Sequence, residues 1–409
     1  MTDRADGWRH PGWSWTVRHE WLISAGYRLA TLIAGGVIGA VLSMVPDGWK
    51  AGKLWVCGVL AVVAFAVAGF SWIGGRGKKR MLERNGTAYI VYEDARFWTS
   101  QDVTRFWQGI RRQFARVVQV PGPRELARGW DWSLDDAAAR DWDGRADELV
   151  RAFRVLSRDE SRNGAATPNS VFIWAWWAVA FAFGMRVSAA DRGLEVDVWQ
   201  RPSKAREAAV YPEVWAQRPN RFDSAVPGAG LPYALSDHVW KTELAVSRRG
   251  GRARPGVNGA RVIVLLVRFN SGKWGPLPSV DASLPKGQPL SLKLHDAAGL
   301  LPVGVSQAEV HELRCVPPTD GFGWETFPAL AAAAVAWISE KYGEFADSTL
   351  LLGTALPQEI GLGMGILVGQ ETHRANWPEH LYPVAYDWTA DAMVIPKLEL
   401  GTAAVNGGA

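Results

Sequence analysis

Two apolar runs without a charged residue lie close together near the N-terminus of this 409-residue chain, at Leu29–Val45 and Leu54–Gly75. The second run has 22 residues, which is about 33 Å at a helical rise of about 1.5 Å per residue and matches a hydrocarbon core of about 30 Å. The first run has 17 residues and is at the short end of that range. Proline and glycine in residues 46–53 indicate a tight turn. Residues 1–84 therefore predict a two-helix transmembrane hairpin.

The basic residues around the hairpin predict its orientation. Four arginines precede the first run and four basic residues lie within residues 76–80, whereas the turn holds two lysines and one aspartate. Because positive charge is retained on the cytoplasmic side, both ends of the hairpin should be cytoplasmic. The alternative is a signal peptide followed by a buried helix. It fits less well, since the first run starts late and no small-residue cleavage pattern stands out.

A GxxxG pair, Gly35 and Gly39, lies in the first apolar run. Small residues at this spacing let two membrane helices approach closely, so the pair predicts a helix-packing face. Glycine is frequent in membrane helices, and coincidence is the alternative explanation.

The charge balance differs between the two parts of the chain. Residues 1–85 contain 11 Lys and Arg against 5 Asp and Glu, whereas the whole chain contains 45 against 41. The remainder therefore carries a net charge of −2, which argues against a domain that binds DNA or RNA polymers. The two cysteines, Cys57 and Cys315, provide neither a disulfide framework nor zinc-ligand spacing, so no metal site is predicted.

The region after the hairpin predicts two similar halves, residues 85–246 and 260–405. A Gly- and Arg-rich linker at 247–259 joins them, and an RGG-type nucleic-acid segment is its alternative interpretation. The first half predicts strands at 88–92 and 194–199 and helices at 103–118, 148–156 and 171–185, the last opened by Pro168-Asn169-Ser170. The second half predicts strands at 260–267, 350–352 and 382–388, helices at 327–342 and 360–368, the latter opened by Pro357, and a closing segment at 392–400.

The two halves share one order of elements, a weak internal repeat in which Gly184 to Trp199 corresponds to Gly369 to Trp388. Alternation of strands and helices predicts a mostly parallel sheet covered on both faces, hence an α/β fold in each half. The uncharged stretch 171–185 is short for a membrane span, so a buried helix is favoured over a third transmembrane helix.

The chain resembles the two-transmembrane SAVED effectors of CBASS anti-phage systems. The resemblance rests on the hairpin architecture and on two apolar helix–glycine–strand segments, VFIWAWWAVAFAFGMRV…LEVDVWQ and IGLGMGILVG…LYPVAYDWTADAMVIPKLELG. It implies an α/β SAVED-like domain made of two fused CARF-like, Rossmann-type halves. The Trp-rich first segment departs from the pattern of such domains.

The resemblance also implies a mechanism. A cyclic di- or trinucleotide from a cognate nucleotidyltransferase would bind the cytoplasmic domain and drive homo-oligomerisation. The clustered helices would then disrupt the lipid bilayer of the bacterial inner membrane. No other cofactor is implied.

Candidate ligand-binding residues follow from the rule that doubly wound sheets bind ligands outside the carboxyl ends of their strands. Cations would hold phosphates, aromatic faces would stack on bases, and amides would read base edges. Solvent-exposed loop polarity is the alternative for the polar residues, and core packing is the alternative for the tryptophans. The candidates are Arg96, Trp199, Gln200, Arg201, Lys204, Arg268, Asn270, Lys273 and Trp388.

Motifs of common enzyme classes are missing from the sequence. It contains no GxxxxGK[ST] phosphate loop, no HExxH zinc motif and no GxSxG nucleophile elbow. We therefore expect a sensor without catalytic residues. The rival from a different class is a membrane-tethered enzyme or scaffold in which the hairpin is only an anchor.

Overall fold

The structure is a computed structural model. It describes residues 86–92, 110, 114, 116–120, 141–162, 169–190, 195–199, 220–222, 234–247, 261–269, 291–296, 299–301, 304–315, 324–387 and 392–406. Both predicted membrane runs, with Gly35 and Gly39, lie outside these ranges. None of the helices within the ranges has the length and apolarity needed to cross a bilayer.

A four-stranded sheet is built from the first part of the described chain, in the order β2-β1-β3-β4 with every pair parallel. Two helices connect its later strands. The elements are β1 (Thr87–Tyr92), β2 (Arg116–Val120), α1 (Trp142–Arg162), β3 (Asn169–Trp174), α2 (Trp177–Ala190) and β4 (Val196–Val198).

An eight-stranded sheet follows, in the order β10-β9-β6-β8-β5-β7-β12-β11. Its strands are β5 (Ser236–Ser247), β6 (Val262–Arg268), β7 (Ser291–Asp296), β8 (Gln307–Arg314), β9 (Thr349–Ala355), β10 (Tyr382–Pro383), β11 (Ala385–Asp387) and β12 (Ala392–Ile395). Its helices are α3 (Phe327–Glu344), α4 (Gln358–Gly369), α5 (Glu371–Arg374) and α6 (Ala403–Asn406). The strands β10, β9, β6 and β8 are mutually parallel, and β5 runs antiparallel to β8.

Most predicted elements with strong apolar patterns are confirmed. The run at 260–267 forms the wholly buried β6, and the alanine-rich stretch at 327–342 lies in α3. Pro357 caps α4 as predicted, because a proline before the first turn sacrifices no helical hydrogen bond. The α/β expectation for both halves is confirmed by the two sheets.

Two assignments in the first half are wrong. Residues 171–174 belong to β3, and the helix begins only at Trp177, so Pro168-Asn169-Ser170 precedes a strand. The end of the predicted helix 103–118 is likewise the strand β2 from Arg116. In both cases a buried parallel strand consists of apolar residues that also satisfy a helical pattern.

The strand β5 was not predicted, although it is 12 residues long. It precedes the predicted linker, yet it is hydrogen-bonded to β8 and β7 in the second sheet. Its exposed positions alternate with partly or fully buried ones, so one face of the strand is open to solvent.

The helices α2 and α4 pack so closely that only glycine fits between them. A Cβ on Gly184 would lie 2.5 Å from the Leu362 carbonyl oxygen and 3.0 Å from the Ile366 nitrogen. A Cβ on Gly365 would meet the Phe181 carbonyl oxygen and the Met185 nitrogen in the same way. Each helix therefore makes the same contact with the other. The parallel helices α2 and α4 are related by an approximate two-fold axis that runs parallel to both.

The same axis relates the two sheets. Equivalent helix residues are 181 positions apart, as in Gly184 and Gly365. The strands β2-β1-β3-β4 correspond to β8-β6-β9-β10, and even an isolated hydrogen bond is repeated, Trp199 N–H to the Val171 carbonyl and Val384 N–H to the Leu352 carbonyl. The internal repeat is therefore present in the structure. Its predicted alignment is wrong, because Gly184 corresponds to Gly365 and not to Gly369.

Candidate ligand-binding edge

One edge of the molecule collects the carboxyl ends of parallel strands from both sheets. The strands β1, β3, β6 and β9 end there, and α2 and α4 begin there. Ligands of doubly wound sheets bind outside these ends. Because α2 and α4 are parallel and in contact, their N-termini lie side by side at this edge.

The two helix N-termini differ in charge. The first turn of α2 holds no acidic residue, whereas that of α4 holds the buried Glu359. Backbone N–H groups and the helix dipole attract anions to a helix N-terminus. Glu359 already places a carboxyl group in the first turn of α4, so α2 is the more favourable of the two for an external phosphate.

Aromatic side chains surround the start of α2. The Trp142 and Trp176 ring centroids are 5.3 Å apart, and Trp176 and Trp177 are 5.6 Å apart, both in edge-on geometry. Trp176 is only partly buried. The sequence analysis did not single out these residues, because tryptophan is abundant in the chain and no strand end was predicted beside them.

Arg268, a predicted ligand-binding residue, is the last residue of β6 and is 1% exposed. Its Nε lies 2.8 Å from Oε1 of Glu312, which is fully buried on β8. The two atoms are at ion-pair distance, but they are not aligned for a hydrogen bond. Arg268 Nη2 and Glu312 Oε2 also make no hydrogen bond within the described residues. The pair is thus desolvated and incompletely satisfied.

Burial shifts both titrations of the pair. It raises the pKa of the Glu312 carboxyl, against the opposing charges of Arg268, Arg314 and His238. It lowers the pKa of the Arg268 guanidinium, which the Glu312 charge counteracts. Arginine stays protonated in proteins, so Glu312 is the member of the pair whose charge can change.

Two further basic residues lie beside the pair. Arg314 is next to Arg268 across the β6–β8 ladder, and His238 on β5 is directly opposite Glu312. Alternation along the strands puts them on one face of the sheet, the face opposite α3 and α4. The sequence analysis missed Glu312 and Arg314, because β8 was not predicted.

Trp199, at the end of β4, is packed among aromatic rings. It stacks on Phe172 at 5.9 Å between centroids and meets Phe114 edge-on at 5.2 Å. It is 8% exposed. The structure therefore places it in the core of the first half, and its role in base stacking stays a prediction.

The other predicted ligand-binding residues lie outside the described residues. They are Arg96, Gln200, Arg201, Lys204, Asn270, Lys273 and Trp388. Their positions follow the ends of β1, β4, β6 and β11 in the chain, so their assignment to this edge stays a prediction. Within the described ranges, no group of three or more His, Cys, Asp and Glu side chains is arranged to hold a metal ion.

Comparison with known proteins finds similarity among solved structures only. No family model and no curated protein matches the chain. The chain is similar to a structure of the Acinetobacter baumannii Cap4 SAVED/CARF-domain containing receptor with the cyclic trinucleotide 3′3′3′-cAAA, at 13% identity and a TM-score of 0.39, covering 85% of this chain and 59% of that one. The same receptor with 2′3′3′-cAAA is similar at 12% identity and a TM-score of 0.37, covering 87% of this chain and 62% of that one. The Moraxella osloensis Cap4 SAVED/CARF-domain containing receptor is similar at 12% identity and a TM-score of 0.33, covering 84% of this chain and 54% of that one. This chain thus spans between about half and three fifths of each of these structures.

Proposed function

We propose that this chain is a membrane-anchored sensor of a cyclic oligonucleotide. The observation that supports it most is the pair of parallel-sheet halves, related by an approximate two-fold axis, whose carboxyl edges and helix N-termini face the same side. A cyclic oligonucleotide repeats its phosphates and bases around a ring. It therefore suits an edge on which helix N-termini and strand ends are also repeated.

The proposed ligand contacts follow the chemistry of the edge. The N-terminus of α2 would receive a phosphate, Arg268 would pair with another, and a tryptophan such as Trp176 would stack on a base. Base stacking on an aromatic side chain is worth about 1–3 kcal/mol per base. The predicted contacts Asn270 and Lys273 come directly after β6 in the chain and would complete this set.

The proposed response takes place at the membrane. Ligand from a cognate nucleotidyltransferase would drive homo-oligomerisation, and the N-terminal apolar runs would then disrupt the bacterial inner membrane. The sensing domain would be cytoplasmic and would act without catalysis. The apolar runs and the basic residues that flank them support this topology.

The first test is a thermal-shift screen of the full chain in detergent. The panel contains cyclic di- and trinucleotides, including 3′3′3′-cAAA and 2′3′3′-cAAA, with linear oligonucleotides of the same composition as controls. We expect one cyclic compound to raise the melting temperature, because a ligand that binds the native state stabilises it. If no cyclic compound shifts the transition of a folded protein, the tethered enzyme or scaffold becomes the better explanation.

The membrane step has its own test in liposomes that carry the full chain and an entrapped dye. Gly35→Leu should block ligand-induced dye release and leave the ligand-induced thermal shift unchanged, because a bulky side chain separates closely packed helices. Gly58→Leu, the same change in the second apolar run, is the control. Dye release by Gly35→Leu at the wild-type rate would exclude the GxxxG pair from the mechanism.

A further inference from the structure

The ion pair of Arg268 and Glu312 is a feature of one half only. The two-fold relation places Tyr92 at the position equivalent to Arg268 and Gln119 at the position equivalent to Glu312. Both of these residues are uncharged in the first half. The same sheet is therefore built without the ion pair, and the fold does not require it.

Positive charge acts on Glu312 from several described residues. The charges of Arg268, Arg314 and His238 all act on the Glu312 carboxyl, and Arg268 is the residue at ion-pair distance from it. A buried guanidinium whose pairing is incomplete attracts a further anion. Arg268 Nη2, which is buried and makes no hydrogen bond within the described residues, is a donor that such an anion would use.

We propose that Glu312 is an internal counter-ion that holds Arg268 in the ligand-free protein and is displaced when an anionic group of the ligand binds Arg268. This regulation rests on the proposed function, since it concerns the same edge and the same arginine. The exchange keeps the guanidinium paired in both states. The exchange costs less free energy than leaving Arg268 buried without a partner, because breaking a buried ion pair without replacement is strongly destabilising.

Displacement also sets the protonation of Glu312. Once Arg268 has turned to the ligand, Glu312 loses the first of the opposing charges that lower its pKa, and those of Arg314 on its own strand and His238 on β5 remain. Its carboxyl, whose pKa burial already raises, then takes up a proton more readily. Neutral Glu312 no longer competes with the ligand anion for Arg268.

The test uses Glu312→Gln in the full chain, with inorganic phosphate as the probe and thermal shift as the measurement. Removing the competing charge should tighten phosphate binding by about tenfold. The matched control is Glu309→Gln on the same strand, where the carboxylate is held by Arg261 at 3.0 Å and His311 at 2.8 Å on the other face of the sheet. It should leave phosphate affinity unchanged.

A double variant, Arg268→Gln with Glu312→Gln, removes both charges of the pair and keeps both side chains polar, in case a single change unfolds the protein. It should lose the phosphate response that Glu312→Gln gains. Wild-type phosphate affinity in Glu312→Gln, or a retained response in the double variant, would overturn the proposal. The cyclic-nucleotide screen is read separately, so failure of the proposed ligand class with a positive phosphate result would leave Glu312 as the counter-ion of a different anion.

Discussion

At the scale of single residues, Glu399 shows how one carboxyl organises the C-terminal segment. Its Oε1 accepts hydrogen bonds from the Leu381 N–H at 2.9 Å and the Gly401 N–H at 3.3 Å, and its own N–H donates to Asp143 Oδ1 at 3.2 Å. Burial raises the pKa of this carboxyl, although those N–H groups and His380 oppose the shift. The folded state therefore binds this proton more tightly than the unfolded chain does.

The raised pKa of Glu399 predicts a pH dependence of stability. Its contribution is present at low pH and is lost as pH rises from about the ordinary value of 4.5 through the raised value. Glu399→Gln keeps the acceptor and stays neutral, so its free energy of unfolding should fall less steeply with rising pH. Urea unfolding at several pH values measures this. The exposed Glu379→Gln is the control, and a slope equal to wild type in Glu399→Gln would refute the assignment.

Residue identity alone predicted the candidate site only in part. Arg268 was found because it follows the strongest apolar strand, but its partner Glu312 lies on a strand whose sequence, QAEVHELR, looks like solvated loop. Charged residues inside a buried strand remove the apolar alternation on which strand prediction depends. Trp199 shows a second limit of sequence-based prediction. The sequence does not distinguish a tryptophan that stacks on a base from one that packs in the core, as Trp199 does against Phe172.

At the scale of elements, the crossing of α2 and α4 joins the two halves. Gly184 and Gly365 each lie against the backbone of the other helix, so the interface has no room for a side chain. Such contact resembles the small-residue packing of membrane helices, and it makes the interface intolerant of added volume.

Substitution at this crossing gives a sharp prediction. Gly365→Ala should destabilise the protein by about 3 kcal/mol, since its Cβ would overlap the Phe181 carbonyl. Gly343→Ala in α3 is the matched control. A Cβ there meets no atom within 4 Å, so the change should stabilise by about 0.5–1 kcal/mol through helix propensity. Urea unfolding compares the free energies of unfolding of the two variants, and equal values would contradict the close packing of α2 against α4.

The elements were predictable where composition and length agreed. The strand β6 and the helix α3 are continuous apolar or alanine-rich runs of the right length. The boundary between β3 and α2 was missed because Ala175-Trp176 turns the chain without glycine or proline. The strand β5 was missed because its open face carries charges such as Lys241 and Glu243.

At the scale of the whole molecule, one hydrophobic cluster unites the two sheets. It contains Tyr89 and Val91 of β1 together with Leu265 and Val267 of β6. We expect the two halves to unfold as one cooperative unit, because unfolding of either half would expose apolar residues of the other half to water.

Hydrogen exchange tests the cooperativity of the halves. The amides of β1 and β6 should exchange with the same free energy in the wild type, and Gly365→Ala should lower both by the same amount. Exchange in β1 at a much lower free energy than in β6 would show that the first half opens independently.

The two-fold relation has a consequence for how the two halves can vary. In an assembly of two identical chains every mutation appears twice, so a residue that benefits one side of the axis is imposed on the other. A gene that encodes both copies in tandem is free of that constraint. Tyr92 and Gln119 in one half are therefore free to differ from Arg268 and Glu312 at the equivalent positions of the other half.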